Sequence, residues 1–114
     1  MKSQLLLVLT GFLILLSGCE KDMSKFSPSD VLIYSSEFAC GNTSIRLAEY
    51  EAKQIPYEFR EIWLNIDQDP HPVNWDEMWE KAHSIGVTYI TFPLVDVKGT
   101  ILINPTAEEI IKEL

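Results

Sequence analysis

Hydrophobic positions follow different periods along this chain, and each period predicts a different element. Leu5 to Leu16 is apolar on every side apart from Thr10 and Gly11. Glu20-Lys21-Asp22 ends that run at about 14 residues, short of the ~20 a helix needs to cross a bilayer. Glu20 to Asp30 is polar and without period, which predicts a flexible tether. Val31-Leu32-Ile33-Tyr34, a short β-branched run after Pro28-Ser29-Asp30, predicts a buried strand. A loop from Ser35 to Thr43 follows. Ser44 to Gln54 is rich in helix formers, with Ile45, Ala48 and Ala52 on one stripe. That helix should end before Ile55-Pro56, because proline pushes the residue before it out of the helical region.

Phe59 to Ile66 alternates, with Ile62, Leu64 and Ile66 on one face, and predicts a second strand. Asp67 to Pro72 is turn-rich. Asn74 fits an N-cap, with Glu77 completing a capping box. Trp75, Met78, Trp79 and Ala82 then fall at i, i+3, i+4 and i+7, a core-facing helical stripe that Gly86 is placed to stop. Thr88 to Phe92 leads into Pro93. Leu94 to Val97, a Lys98-Gly99 turn and Thr100 to Ile103 predict a β-hairpin. Asn104-Pro105 fits the N-cap and first position of a last helix, whose stripe is Ala107, Ile110, Ile111 and Leu114. The order is βαβαββα, an α/β class. A right-handed strand–helix–strand crossover makes the first two strands parallel, and the hairpin adds two more, giving a four-stranded mixed sheet flanked by helices.

The apolar N-terminal run gains meaning from its flanks. Lys2 precedes it, and Leu16-Ser17-Gly18-Cys19 closes it. This resembles the lipobox of bacterial lipoprotein precursors: an aliphatic residue, two small residues and the cysteine that receives lipid. The resemblance implies a signal peptide over residues 1–18, palmitate-type acylation at Cys19, a lipidated tether over residues 19–30 and a domain over residues 31–114. It also implies an extracytoplasmic location, anchored to a bacterial membrane through the lipid on Cys19. Removing residues 1–18 takes away Lys2 and no acid, so the net charge moves from −8 to about −9. So acidic a chain argues against nucleic acid and against a basic membrane patch. A monomer is expected. No disulfide within the mature chain is available, because Cys40 is the only thiol left once Cys19 is acylated.

Within residues 31–114 the chain resembles a glutaredoxin, the small branch of the thioredoxin fold. The resemblance rests on Val31-Leu32-Ile33-Tyr34-Ser35, on Ile55-Pro56-Tyr57-Glu58, on Asn65-Ile66-Asp67 with Asp69-Pro70, and on Thr91-Phe92-Pro93. It implies a thioredoxin-like fold with a cis proline at Pro93. It implies Cys40 as the attacking thiolate, favoured by the unpaired N–H groups and dipole of a helix start. The resolving cysteine of the family is Thr43 here, in Cys40-Gly41-Asn42-Thr43, which resembles the monothiol members. Thr43 would hydrogen-bond the thiolate or cap the helix. Thr91, Phe92 and Pro93 would bind substrate, the Phe92 backbone pairing with it as a short added strand. The function implied is thiol–disulfide exchange through a mixed disulfide with a protein partner or glutathione. No resident cofactor is implied, and glutathione is the candidate co-substrate.

Some positions depart from the family. Ser36, Glu37 and Phe38 stand where a basic residue meets a glutathione carboxylate, and Asn104-Pro105-Thr106-Ala107 stands where the family has Gly-Gly. Glu37 also opposes ionisation of a nearby thiol. A second reading is a redox-inactive adaptor that uses the cis-proline groove to hold a peptide, with Cys40 a buried, inert thiol. A third rests on Ala39-Cys40-Gly41 with Arg46, which is similar to glutaredoxin-linked arsenate reductases; Arg46 and Arg60 are the only arginines. No metal site is expected. His71 and His83 have no ligand partner at useful spacing and read as surface residues. Trp63, Trp75 and Trp79 read as core. Asp67, Asp69, Asp76, Glu77 and Glu80 lack the glycine and spacing of a calcium loop.

Overall fold

The structure is a computed structural model that describes residues 21–38 and 41–114. The signal-peptide residues, Cys19 and Cys40 lie outside the described residues. Four strands form one mixed sheet: β1 (Val31–Ser35), β2 (Glu58–Glu61), β3 (Leu94–Val97) and β4 (Thr100–Ile103). Their order is β2-β1-β3-β4. β1 and β2 are parallel, with Ile33 opposite Phe59; β1–β3 and β3–β4 are antiparallel. Three helices complete the fold: α1 (Gly41–Ala52), α2 (Asn74–Ser84) and α3 (Ala107–Glu113).

Successive strand side chains point to opposite faces, so the central strands feed two cores. Val31, Ile33, Val95 and Val97 pack with Tyr50 of α1 and with Ala107 and Ile110 of α3. On the other face Tyr34 and Leu94 pack with Ile62 and with Met78 and Ala82 of α2. Burial on both faces explains why β1 and β3 are nearly unbroken apolar runs.

Several local expectations are corrected. The buried face of α1 carries Thr43 and Tyr50, with Leu47 half-buried, whereas Ile45 is 62% exposed and Ala48 and Ala52 are also exposed. Tyr50 turns the helix: its ring fills the core and its hydroxyl donates to the Pro105 carbonyl at 2.6 Å. The second strand stops at Glu61, not Ile66. Asn65 Oδ1 accepts the Asp67 amide, Leu64 N–H reaches the Asp69 carbonyl at 2.7 Å, and Gln68 adopts φ 64°, so the chain folds into a loop that leaves Leu64 and Ile66 exposed.

Helix starts differ for a related reason. Asn74 is not the cap of α2. Its side chain donates to the Glu61 carbonyl at 2.9 Å, and His71 Nδ1 accepts the Val73 and Asn74 amides instead. Glu77 accepts the Tyr34 hydroxyl at 2.7 Å rather than closing a capping box. The cap of α3 is Thr106, with a capping box to Glu109, and Asn104 turns away at φ 48°. Gly86 does end α2, at φ 76°, with Val87 N–H bonded to the Ala82 carbonyl and Gly86 N–H to that of His83. Residues 21–30, expected to be a structureless tether, form two 3₁₀ turns, Met23–Lys25 and Pro28–Asp30.

These elements define two poles. Ser36, the start of α1, Pro93 and Asn104 lie at the C-terminal end of β1. The 3₁₀ turns, the ends of α1 and α3 and the Lys98-Gly99 turn gather at its N-terminal end.

Candidate functional site

The candidate residues from sequence come from segments that converge at the C-terminal end of β1. Gly41, which follows Cys40 in the sequence, is the first described residue of α1. The segment before β3 comes alongside, and its Phe92–Pro93 peptide bond is cis. Pro93 is fully buried, Phe92 is half-buried and Thr91 is exposed.

Two asparagines tie these segments together. Asn42 Nδ2 donates to the Phe92 carbonyl at 3.1 Å and to Asn104 Oδ1 at 2.7 Å. Asn104 Oδ1 also accepts from Arg46 Nε at 2.9 Å, and Arg46 pairs with Glu49 at 2.8 Å. The Asn104 amide returns to the Pro93 carbonyl at 2.8 Å. The first turn of α1, the cis-proline segment and the turn after β4 are therefore joined through Asn104. Sequence reasoning named Thr91, Phe92 and Pro93 but missed Asn42 and Asn104. The available signal was Asn104 itself: asparagine tolerates the left-handed backbone it adopts here.

Thr43 sits inside rather than at the surface. Its hydroxyl shares a hydrogen bond with that of Ser35, and both residues are buried. That bond fixes the start of α1 to the end of β1. Beside Gly41 a cavity of about 570 Å³ opens between α1 and the start of β2, lined by Phe38, Thr43, Leu47, Tyr57 and Phe59 among others. Its walls are mainly apolar, and Ser36, Glu37 and Ser44 also line it. On its rim, burial and a hydrogen bond to Glu51 push the Tyr57 hydroxyl up to about 12.

Among the described residues no three His, Cys, Asp or Glu side chains are grouped to hold a metal ion, and no helix is long and apolar enough to cross a membrane. Trp63, Trp75 and Trp79 form a half-buried ladder, with neighbouring ring centroids 4.7 Å and 5.9 Å apart, that continues to His83 at 5.5 Å. No protein-family model, curated protein or solved structure matches the chain.

Proposed function

We propose that this chain is an extracytoplasmic thiol–disulfide exchange protein, anchored through lipid on Cys19 and built as a glutaredoxin-like member of the thioredoxin fold. The sheet order β2-β1-β3-β4 with its single parallel pair is compatible with that fold. What carries the reading is one juxtaposition. The only thiol expected to remain free in the mature chain precedes in sequence the first described residue of α1, and Asn42, next along that helix, holds the Phe92 carbonyl.

In the exchange, the Cys40 thiolate attacks one sulfur of a partner disulfide. A Cys40–partner disulfide forms and the other partner sulfur leaves as a thiolate. A second, external thiolate then attacks the partner sulfur, restores the Cys40 thiolate and completes the new disulfide. The amides at the helix start stabilise the anion before and after. The Phe92 carbonyl keeps a second lone pair beside the one Asn42 uses, so an extended substrate strand can still pair with it. The apolar cavity next to Gly41 suits a substrate side chain. With no basic residue between Ser36 and Phe38, glutathione is the weaker co-substrate and a protein partner the better one.

The adaptor reading draws support from Thr43, whose hydroxyl is engaged by Ser35. The rate of Cys40 alkylation against pH, measured on the mature protein in detergent, separates the two. Exchange chemistry requires an inflection below the ~8.5 of a free thiol, together with a mixed disulfide at Cys40 that an added thiol reverses. An inflection at or above that value, with no mixed disulfide, leaves the adaptor.

A further inference from the structure

The stretch between the candidate acylation site and β1 is fastened to the domain at three points. Lys21 Nζ donates to the carbonyls of Ile111, at 2.9 Å, and Leu114, at 3.1 Å. These carbonyls end α3, where the negative end of the helix dipole favours a cation. Met23 packs on the core cluster shared by α1 and α3. Asp30 accepts the Lys98 amide at 3.0 Å, while Lys98 Nζ stands 5.7 Å from the Phe26 ring centroid. Local caps hold the turns between: Asp22 accepts the Ser24 amide at 3.0 Å, and Ser27 and Asp30 form a capping box. Only Glu20 separates Lys21 from Cys19. Two peptide units reach at most about 7.6 Å between α-carbons, so an acyl chain on Cys19 leaves this pole no room to stand off.

We infer that the domain rests on the lipid headgroups by this pole, in one orientation, with the pole of Gly41 and Pro93 turned to the aqueous phase. The inference rests on the lipoprotein reading above and deepens it. Charge fits the orientation. Lys21, Lys25, Lys53, Lys98 and Lys112 gather at the strap pole, five of the eight basic residues that follow Cys19. Lys21, Lys53 and Lys112 line one cleft there with Met23, Ile111 and Glu108, which pairs with Lys53 at 3.5 Å. Asp22, Asp30, Glu51, Glu108 and Glu113 offset them, so this pole is near neutral. The opposite pole carries Glu37, Glu61, Asp67, Asp69 and Asp76 against few cations. A surface of lipid phosphates accepts the first pole and repels the second. α1 runs from one pole to the other and spans about 18 Å at 1.5 Å per residue, so the candidate site stands roughly that far from the bilayer contact. The substrate class that reaches it is a soluble extracytoplasmic protein, not a lipid.

The test uses the full acylated protein in vesicles of phosphatidylglycerol and phosphatidylethanolamine, with Cys40→Ser as background. A donor dye is placed at Glu113→Cys or at Asp67→Cys, both exposed positions at opposite poles, and the acceptor is a headgroup-labelled lipid. Energy transfer should put the Glu113 label nearer the headgroup plane than the Asp67 label by on the order of 15 Å. Lys21→Gln with Met23→Ser, which unfastens the strap, should erase that difference. Equal distances in the strapped protein, a nearer Asp67 label, or a difference that survives unfastening overturns the proposal. Intact mass reports acylation of the same sample independently. Protein without acyl mass removes the lipoprotein reading and this one together; acylated protein with equal distances removes this one alone.

Discussion

Tyr50 and Thr43 decide which way α1 faces, and neither acts through hydrophobicity alone. Each is buried with its hydroxyl satisfied, Tyr50 by the Pro105 carbonyl and Thr43 by Ser35. A buried polar group left without its partner costs about 1–3 kcal/mol. Tyr50→Phe strands the Pro105 carbonyl and Thr43→Val strands the Ser35 hydroxyl, so each should lower the urea midpoint by a stability loss of that size with the slope unchanged. Ile45→Ser is the control. Ile45 heads the stripe that the sequence favours for burial, yet its exposure limits the expected change to about 0.5 kcal/mol. A loss of several kcal/mol at Ile45 would put the sequence stripe, not Tyr50, against the sheet. Apolar spacing could not reveal this face, because its two buried anchors are a tyrosine and a threonine.

At the scale of elements, legibility followed range. The apolar runs of β1 and β3, the stripe of α2 and the Lys98-Gly99 turn are set by neighbouring residues, and they stand where the pattern put them. Helix starts were misread because local capping signals were overridden by distant partners: Asn74 is held by Glu61, Glu77 by Tyr34, and Asn104 by Asn42 and Arg46. The candidate site was legible only in part for the same reason. Phe92-Pro93 stands out in the chain, but the groups that hold it, the Asn42 side chain and the Asn104 backbone N–H, come from α1 and from beyond β4. Helix ends obey local backbone rules and give predictions of opposite sign. A side chain at Gly86 would meet nothing within 4 Å, so Gly86→Ala should lose about 1–2 kcal/mol through its left-handed backbone alone. Gln54 ends α1 at φ 58° with the same bonding pattern, Ile55 N–H to the Tyr50 carbonyl and Gln54 N–H to that of Glu51. Gln54→Gly relieves that strain and should raise the thermal midpoint. A lower midpoint for Gln54→Gly would contradict the shared account of both ends.

Across the whole molecule, three phenols join elements that are far apart in sequence, and this makes the fold sensitive to alkali. Tyr34 links β1 to Glu77 of α2, Tyr50 links α1 to the turn before α3, and Tyr57 links the entry to β2 back to Glu51. Burial raises all three above the ordinary tyrosine value of 10.0, and a carboxylate acceptor adds to it for Tyr34 and Tyr57, the latter reaching about 12. The neutral phenol is the form the fold favours, so the unfolded chain gives up these protons first. Unfolding therefore releases protons once pH passes 10, and stability falls as pH rises. The contribution is fully present below pH 10 and is lost progressively as pH climbs through the folded values, about 12 for Tyr57. Urea midpoints between pH 8 and pH 12, read beside phenolate absorbance, should stay level at first and then drop. Tyr57→Phe should delay part of the drop, since a phenyl ring has no proton to lose. A midpoint that stays level to pH 12 while all phenolates form would mean that these hydroxyls do not join the elements in the folded chain.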